Sequence, residues 1–272
     1  MTETFVSVIS GAVLGFAIGL TGVGGGVLTV PVLILVMGLD PVTAVGTASL
    51  YAFLTKLWAG SKHYRQGTVN LRAGGNFLIA GLPGVILSSF VVKWSKVSLS
   101  PAGVETLNSV LEYVILGSLV FSLAALTVDY DRVKGLPAFS GQRKGLRIPC
   151  TFVVGLIIGA TSIGGGILII PALLLLYGET EKYVGTSIFI ALVLVLVMTG
   201  IYAFLGSGTD FGAVDLKTAL LMAAGSLATA HFGCALSRKI APRRLQFIVL
   251  GVVIAAIAMM AAEKLMKMEG LG

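Results

Sequence analysis

The sequence predicts an all-α polytopic membrane protein with two inverted four-segment repeats, each with a glycine-broken, re-entrant-like first segment and three spanning helices. Three observations lead to this fold class: the composition, a glycine-rich segment that occurs twice, and the distribution of basic residues among the loops. The chain of 272 residues is 56% hydrophobic and 11% charged, and its mean hydropathy is +1.00. An ordinary soluble domain has roughly 25% charged residues, so this composition indicates a protein that is embedded in a lipid bilayer.

Six apolar runs have the length of about 20 residues that one spanning helix needs. They are residues 44–60, 74–92, 109–128, 184–205, 216–236 and 245–262. Two further apolar segments, residues 5–38 and 147–178, are too long for one upright span and too short for two. Each is predicted to form two half-helices around a break, entering and leaving the membrane on one side.

Three consecutive glycines occur in both long segments, at residues 24–26 and 164–166. Each glycine in a helix interior costs about 1 kcal/mol relative to alanine, so a helix through three of them is expected to break. A break at membrane depth leaves free N–H and C=O groups, which are tolerated only inside protein or beside a watery cavity. The two breaks are therefore the first place to look for function.

The two halves of the chain also match beyond the glycines. Residues 46–49 (Gly-Thr-Ala-Ser) correspond to residues 185–188 (Gly-Thr-Ser-Ile), and residues 67–72 correspond to residues 212–217. A repeat of one re-entrant segment and three spans crosses the membrane an odd number of times, so its second copy must be inverted. The predicted parts are a first membrane repeat (1–128), a cytoplasmic linker loop (129–146) and a second membrane repeat (147–272).

The basic residues provide the orientation, because cytoplasmic loops carry an excess of Lys and Arg. The loops assigned to the cytoplasm contain Lys62, Arg65, Arg72, Arg132, Lys134, Arg143, Lys144, Arg147, Arg238, Lys239, Arg243 and Arg244. The corresponding loops of the other repeat carry fewer basic residues, with acidic residues beside them. This pattern places both termini outside. An alternative with eight full spans divides the basic residues less cleanly.

With these features the chain resembles the sulfite exporter TauE/SafE family, also called the TSUP permeases. The resemblance covers nearly the whole length, and its most specific element is G-x-G-G-G-x-[LI]-x-[VI]-P. This element runs from Gly22 to Pro31 and, with serine in place of the first glycine, from Ser162 to Pro171. The resemblance implies a permease of a prokaryotic inner membrane that moves small sulfur-containing anions, such as sulfite, thiosulfate or sulfonated organic acids, usually outward.

The glycine segments suit an anion, because such backbone can direct several N–H groups at one point and a half-helix starting there adds its positive dipole end. We expect the anion in a midplane cavity between the two breaks, with hydroxyls as further donors. The predicted substrate-binding residues are Thr21, Gly22, Gly24, Gly25, Gly26, Thr47, Ser49, Thr161, Ser162, Gly164, Gly165, Gly166, Thr186 and Ser187. Close helix packing is the alternative reason for small residues at these positions.

Six other polar residues are left without an assigned part in transport: Asn76, Lys56, Glu112, His231, Cys150 and Cys234. Lys56 is expected near the inner end of its span, with its ammonium reaching the interface, and the alternative is that it draws anions toward an inner vestibule. The two cysteines do not have the spacing of a metal site and are expected to be small apolar side chains.

Other function classes fit the sequence less well. There is no G-x-x-x-x-G-K-[ST] motif for ATP, and the spans lack the nucleophile, base and carboxylates of an enzyme. We predict no catalytic residue, metal or cofactor, and no nucleic-acid partner, because the net charge of +7 is spread over short loops. The expected partners are a small anionic substrate and the lipid bilayer, and a homo-oligomer is left open. Alternative functions are an anion channel with the same site or an organosulfonate uptake permease.

Overall fold

The computed structural model contains only helices and turns in the part of the chain that it describes. The described residues are 2–21, 26–127, 144–163, 166, 168–177, 182–204, 212–237, 247, 250, 251 and 253–262. The helices are α1 (Thr2–Thr21), α2 (Gly26–Leu35), α3 (Pro41–Arg65), α4 (Leu71–Ser98), α5 (Pro101–Thr127), α6 (Lys144–Thr161), α7 (Ile169–Ala172, continued by a π-helical turn over Leu173–Tyr177), α8 (Tyr183–Phe204), α9 (Leu216–Ser237) and α10 (Val253–Ala262).

The described residues of five of the six runs predicted as ordinary spans lie in α3, α4, α5, α8 and α9, and α10 lies within the sixth run. By length and composition alone, four described helices can cross a membrane: α1, α4, α5 and α8. Both glycine-bearing segments differ from the prediction of two half-helices, since α1 has 20 residues and α6 has 18, whereas α2 has 10. The reason is that each glycine motif lies nearer the end of its segment than the start, so the helix before the motif is long and only the helix after it is short.

The starts of three long helices are fixed by an Asp or Asn at the N-cap. The side-chain Oδ1 atoms of Asp40, Asn70 and Asp215 accept hydrogen bonds from the N–H groups three residues later, at 3.2, 3.1 and 3.0 Å. These bonds satisfy donors that the first turn of a helix leaves free. Gly67 and Gly212, three residues before two of the caps, have φ values of 67° and 60°, a backbone region that glycine adopts without strain.

Both glycine-bearing segments fold back on themselves. At the open end of the first, Ser7 Oγ of α1 lies 3.8 Å from Met37 Sδ, just beyond α2. At the open end of the second, Tyr177 Oη lies 3.0 Å from Thr151 Oγ1 of α6, and the Arg147 guanidinium lies 5.9 Å from the centre of the Tyr177 ring. Each segment is therefore a helical hairpin, and its tip is the end at which α1 is followed by α2 or α6 by α7.

Each hairpin packs on a helix from the other half of the chain. Helix α1 runs parallel to α9, with Gly15 against Ser226 and Gly19 against Ala230. Helix α6 runs parallel to α4 in the same way, with Gly155 against Gly81 and Gly159 against Val85. Glycine at these positions lets the two backbones approach closely, which is the usual basis of tight helix packing in membranes.

Helices α3 and α8 pack against each other at the centre and run in opposite directions. Ser49 Oγ lies 3.1 Å from Thr199 Oγ1, whereas a methyl group at Gly60 would lie 3.2 Å from Leu192 Cδ2 and 3.8 Å from Ile188 Cγ2. Because the residue number rises on α3 while it falls on α8, the helices are antiparallel. Around this pair lies the apolar core, into which side chains from both halves are buried.

Candidate functional site

The tips of the two hairpins touch. Helix α1 ends at Thr21 and α2 begins at Gly26, while α6 ends at Thr161 and Ser162 follows it. A methyl group at Gly26 would overlap the carbonyl oxygen of Ser162 and lie 3.4 Å from Ile163 Cα. Glycine is therefore required at residue 26 for the first hairpin to reach the second.

Ser162 has an unusual environment at this junction. Its φ value is 56°, in the left-handed region that non-glycine residues rarely adopt. Its side chain is 3% exposed, and its Oγ has no hydrogen-bond partner among the described residues. A buried hydroxyl without a hydrogen-bond partner costs about 1–3 kcal/mol. Because the ligand-free protein already bears this cost, the hydroxyl is available to bind a ligand.

Thr161, the neighbouring predicted site residue, has its hydroxyl fully occupied. Its Oγ1 donates to the carbonyl oxygen of Ile157 at 2.7 Å and accepts from the N–H of Ile163 at 3.2 Å. The side chain is completely buried. Thr161 thus holds the end of α6 in place, next to the Ser162 hydroxyl, which has no partner in the described part of the chain.

Thr47 and Thr186 form equivalent hydrogen bonds between the two halves of the chain. Thr47 Oγ1, near the start of α3, accepts from the N–H of Asp215 at 2.9 Å. Thr186 Oγ1, near the start of α8, accepts from the N–H of Asn70, also at 2.9 Å. Each threonine thus binds the N-cap residue of the third long helix in the other half.

Ser49 and Ser187, the remaining predicted hydroxyl donors, bond within their own helices. Ser49 Oγ donates to the carbonyl oxygen of Gly46 at 2.6 Å and also contacts Thr199, as described above. Ser187 Oγ donates to the carbonyl oxygen of Val184 at 2.8 Å. Both serines are buried, and neither hydroxyl is without a partner.

Several predicted site residues fall outside what the structure describes. Gly22, Gly24, Gly25, Gly164 and Gly165 are not among the described residues, and the side chain of Thr21 is not described. Gly166 is described and buried, and its carbonyl oxygen accepts from the N–H of Ile170 at 3.1 Å. The structure therefore brings together Gly26, Thr161 and Ser162.

The polar residues without an assigned part differ in burial. Asn76 and His231 are exposed on α4 and α9, and Cys150 is a partly buried free thiol. Lys56 is 8% exposed, which contradicts the expectation of a side chain reaching the interface. The reason is that Lys56 lies on the face of α3 that packs against α8, which covers most of the residue's surface.

The family described as sulfite exporter TauE/SafE matches residues 7–260 of this chain. The chain belongs to the TauE/SafE family. Because the match includes both hairpins and all the helices that carry the predicted site, the earlier resemblance is confirmed. The family is one of membrane transporters, so the chain is a membrane transporter and not an enzyme.

Curated relatives of this TauE/SafE protein are probable membrane transporters. The chain is 32% identical over 256 residues to the probable membrane transporter protein YjnA of Bacillus subtilis, covering 91% of this chain and 95% of the relative. It is 27% identical to YunE of the same organism, covering 86% and 88%, and 24% identical to MJ0441 of Methanocaldococcus jannaschii, covering 90% and 91%. No solved structure matches the chain.

Sequence reasoning missed the partners of the threonines, Asn70 and Asp215. The alignment of the halves already placed these two residues in corresponding positions, three residues after Gly67 and Gly212. That correspondence indicated two equivalent helix starts. It did not indicate that each start binds the threonine of the opposite half, because this contact depends on how the halves pack.

Proposed function

We propose that this TauE/SafE protein is a secondary transporter that exports small sulfur-containing anions such as sulfite, thiosulfate or sulfonated organic acids. The anion binds at the middle of the membrane, where the tips of the two hairpins touch. The proposed site includes the glycine motifs and the hydroxyl of Ser162. Membership of a family described as sulfite exporters supports the substrate class.

The observation that carries this proposal is the free hydroxyl of Ser162. It is buried at the contact with Gly26 and has no partner among the described residues. A hydroxyl can donate to an oxyanion and release it easily, since it adds no permanent charge. Such a weak donor suits a permeation site, which must bind the ligand and also let it leave.

An inverted arrangement of the two repeats is part of the proposal. It is supported by the antiparallel packing of α3 on α8, because these helices occupy corresponding positions in the two repeats. It is also supported by contacts that occur in pairs: α1 on α9 with α6 on α4, and Thr47 to Asp215 with Thr186 to Asn70. Alternating access in such transporters moves one repeat against the other around a fixed site.

The proposed orientation follows from the basic loops. The linker between residues 129 and 146 lies in the cytoplasm, both termini lie outside, and the membrane is the inner membrane of a prokaryotic cell. In this orientation the open ends of the two hairpins lie on opposite sides of the membrane, and their tips meet between them.

The test is anion flux in liposomes reconstituted with the purified protein. We expect saturable release of a sulfur anion from the wild type, and a Ser162→Ala variant with roughly two- to tenfold weaker apparent affinity, the effect of one lost hydrogen bond of about 0.5–1.5 kcal/mol. The matched control is Ser118→Ala, because Ser118 is also a buried serine but lies on α5 and donates to its own helix.

Two results would contradict the proposal. If the wild type releases none of sulfite, thiosulfate and sulfonated acids, the substrate class is wrong. If Ser162→Ala and Ser118→Ala bind equally tightly to the transported anion, Ser162 does not belong to the site. Counter-transport and saturation in the same assay distinguish a carrier from an anion channel, whose flux would not saturate in this way.

A further inference from the structure

Lys56 is a buried lysine between helices α3 and α8. It lies seven residues after Ser49 and four before Gly60, so the three residues share one face of α3. That face meets α8 at both ends, where Ser49 contacts Thr199 and Gly60 approaches Leu192. Lys56 lies between these two contacts, and only 8% of its surface is exposed.

The opposite helix offers this ammonium no counter-charge. The sequence of α8 contains no Asp, Glu, Lys, Arg or His. Among the described residues the ion pair formed is Lys96 with Asp40, at the start of α3, and no described carboxylate forms an ion pair with Lys56. In the second half the corresponding position is Val195, which is 4% exposed, so the charge occurs in one half only.

Lys56 also lies away from the ends of its helix. Nine residues of α3 follow it, which corresponds to about 13 Å along the helix axis. An unpaired charge inside a protein costs several kcal/mol, and ionisable residues within membrane helices are rare and mark the paths of ions and substrates. The Lys56 ammonium therefore needs a mobile partner of opposite charge.

We propose that Lys56 is a binding residue of the anion pathway, whose ammonium takes the transported anion as its counter-ion at the crossing of α3 and α8. It thereby selects for negative charge. The hydroxyls and backbone donors described above recognise oxygen atoms, but neutral molecules with oxygen atoms could also satisfy them. This inference rests on the proposed function, because it needs an anion to pass between these helices.

The experiment compares thiosulfate flux through Lys56→Gln, Lys56→Arg and wild-type protein in liposomes. We expect Lys56→Gln to raise KM about tenfold or more, the effect of one charge-assisted hydrogen bond, while Lys56→Arg stays near the wild-type value. In detergent without anion, Lys56→Gln should be at least as thermally stable as the wild type, because it removes an unpaired buried charge. Thiosulfate should then raise its melting temperature less than that of the wild type.

Lys93→Gln is the matched control. Lys93 is another nearly buried lysine, 4% exposed, but it lies on α4 near the start of α3, so its loss should leave KM unchanged. If Lys56→Gln does not fold, Lys56→Met replaces it as an uncharged side chain of similar length.

Two outcomes overturn the inference, and they can be told apart. A wild type that moves none of sulfite, thiosulfate and sulfonated acids overturns the proposed function and this inference with it. A wild type that moves thiosulfate with the same KM as Lys56→Gln overturns this inference alone. A lower melting temperature for Lys56→Gln with an unchanged KM would likewise mean that Lys56 only stabilises the fold.

Discussion

Ser162 combines two unfavourable features that a packing residue would not retain. A left-handed backbone costs a non-glycine residue about 1–2 kcal/mol, and a buried hydroxyl without a partner costs about 1–3 kcal/mol. The surrounding contacts keep Ser162 in this conformation and environment, since Thr161 fixes the end of α6 and Gly26 packs against the Ser162 carbonyl group. Strain of this kind concentrates at functional sites, where the rest of the fold supports it.

Asp40 shows how a single side chain makes stability depend on pH outside the spans. Burial alone would raise the pKa of its carboxyl group, but hydrogen bonds from the Lys96 ammonium and from Thr43 outweigh burial, so the pKa lies below the ordinary value of 3.8. The Asp40 side chain is 37% exposed, and solvent therefore limits the contribution of the ion pair to less than about 1 kcal/mol.

We expect Asp40→Asn to unfold at a lower temperature than the wild type at neutral pH. Because the folded state lowers this pKa, the ion pair contributes its full stability above pH 3.8 and loses it as the pH falls further. The difference in melting temperature should therefore shrink as the pH falls below 3.8. Equal melting temperatures at neutral pH would show that Asp40 acts only as a helix cap, which asparagine can replace.

The positions of the helices in the sequence were largely predictable, whereas the helices against which each one packs were not. Apolar length located the long helices α3, α4, α5, α8 and α9, and the glycine motifs occur where α1 is followed by α2 and where α6 is followed by α7. Gly11, Gly15 and Gly19 gave no comparable signal, because a glycine in an apolar run looks the same whether it faces lipid or another backbone. Only the packed structure shows that all three lie against α9.

At the scale of the helix pair, we expect Gly15→Ala and Gly155→Ala to lower the thermal stability. An added methyl group at Gly15 would overlap the Ser226 backbone, and one at Gly155 would overlap Gly81. Such overpacking typically costs about 1–3 kcal/mol. Gly117→Ala on α5 is the control, since no atom lies within 4 Å of its added methyl group, and it should be neutral or slightly stabilising. Equal melting temperatures for all three variants would contradict the close approach.

At the scale of the whole molecule, the two halves are joined by reciprocal contacts. Thr47 and Thr186 each bind a helix start of the opposite half, and the antiparallel pair α3 and α8 lies between these bonds. Thr47 and Thr186 were predicted from the sequence as anion donors, because a hydroxyl after a glycine motif fits that role. The sequence could not distinguish this role from a structural one, since the acceptor and donor groups come from distant parts of the chain.

We expect Thr47→Val and Thr186→Val to destabilise the protein by similar amounts of about 1–3 kcal/mol each, because each leaves a backbone N–H without its acceptor. Thermal unfolding in detergent measures this. The control is Thr106→Val on α5, whose exposed hydroxyl bonds only to the Ala102 carbonyl of its own helix. If one of the two central variants is as stable as Thr106→Val while the other is not, the halves are not held together symmetrically.

The pairing of each hairpin with the opposite half also sets an order of assembly during synthesis. Helix α6 meets a partner, α4, that the ribosome has already made. Helix α1 must wait for α9, whose contact residue Ser226 follows Gly15 by about 210 residues, or roughly 10–40 s of translation at about 5–20 residues per second. During that time the glycine face of α1 has no α9 to pack against. Helix α1 is thus made long before the helix that fixes its final place.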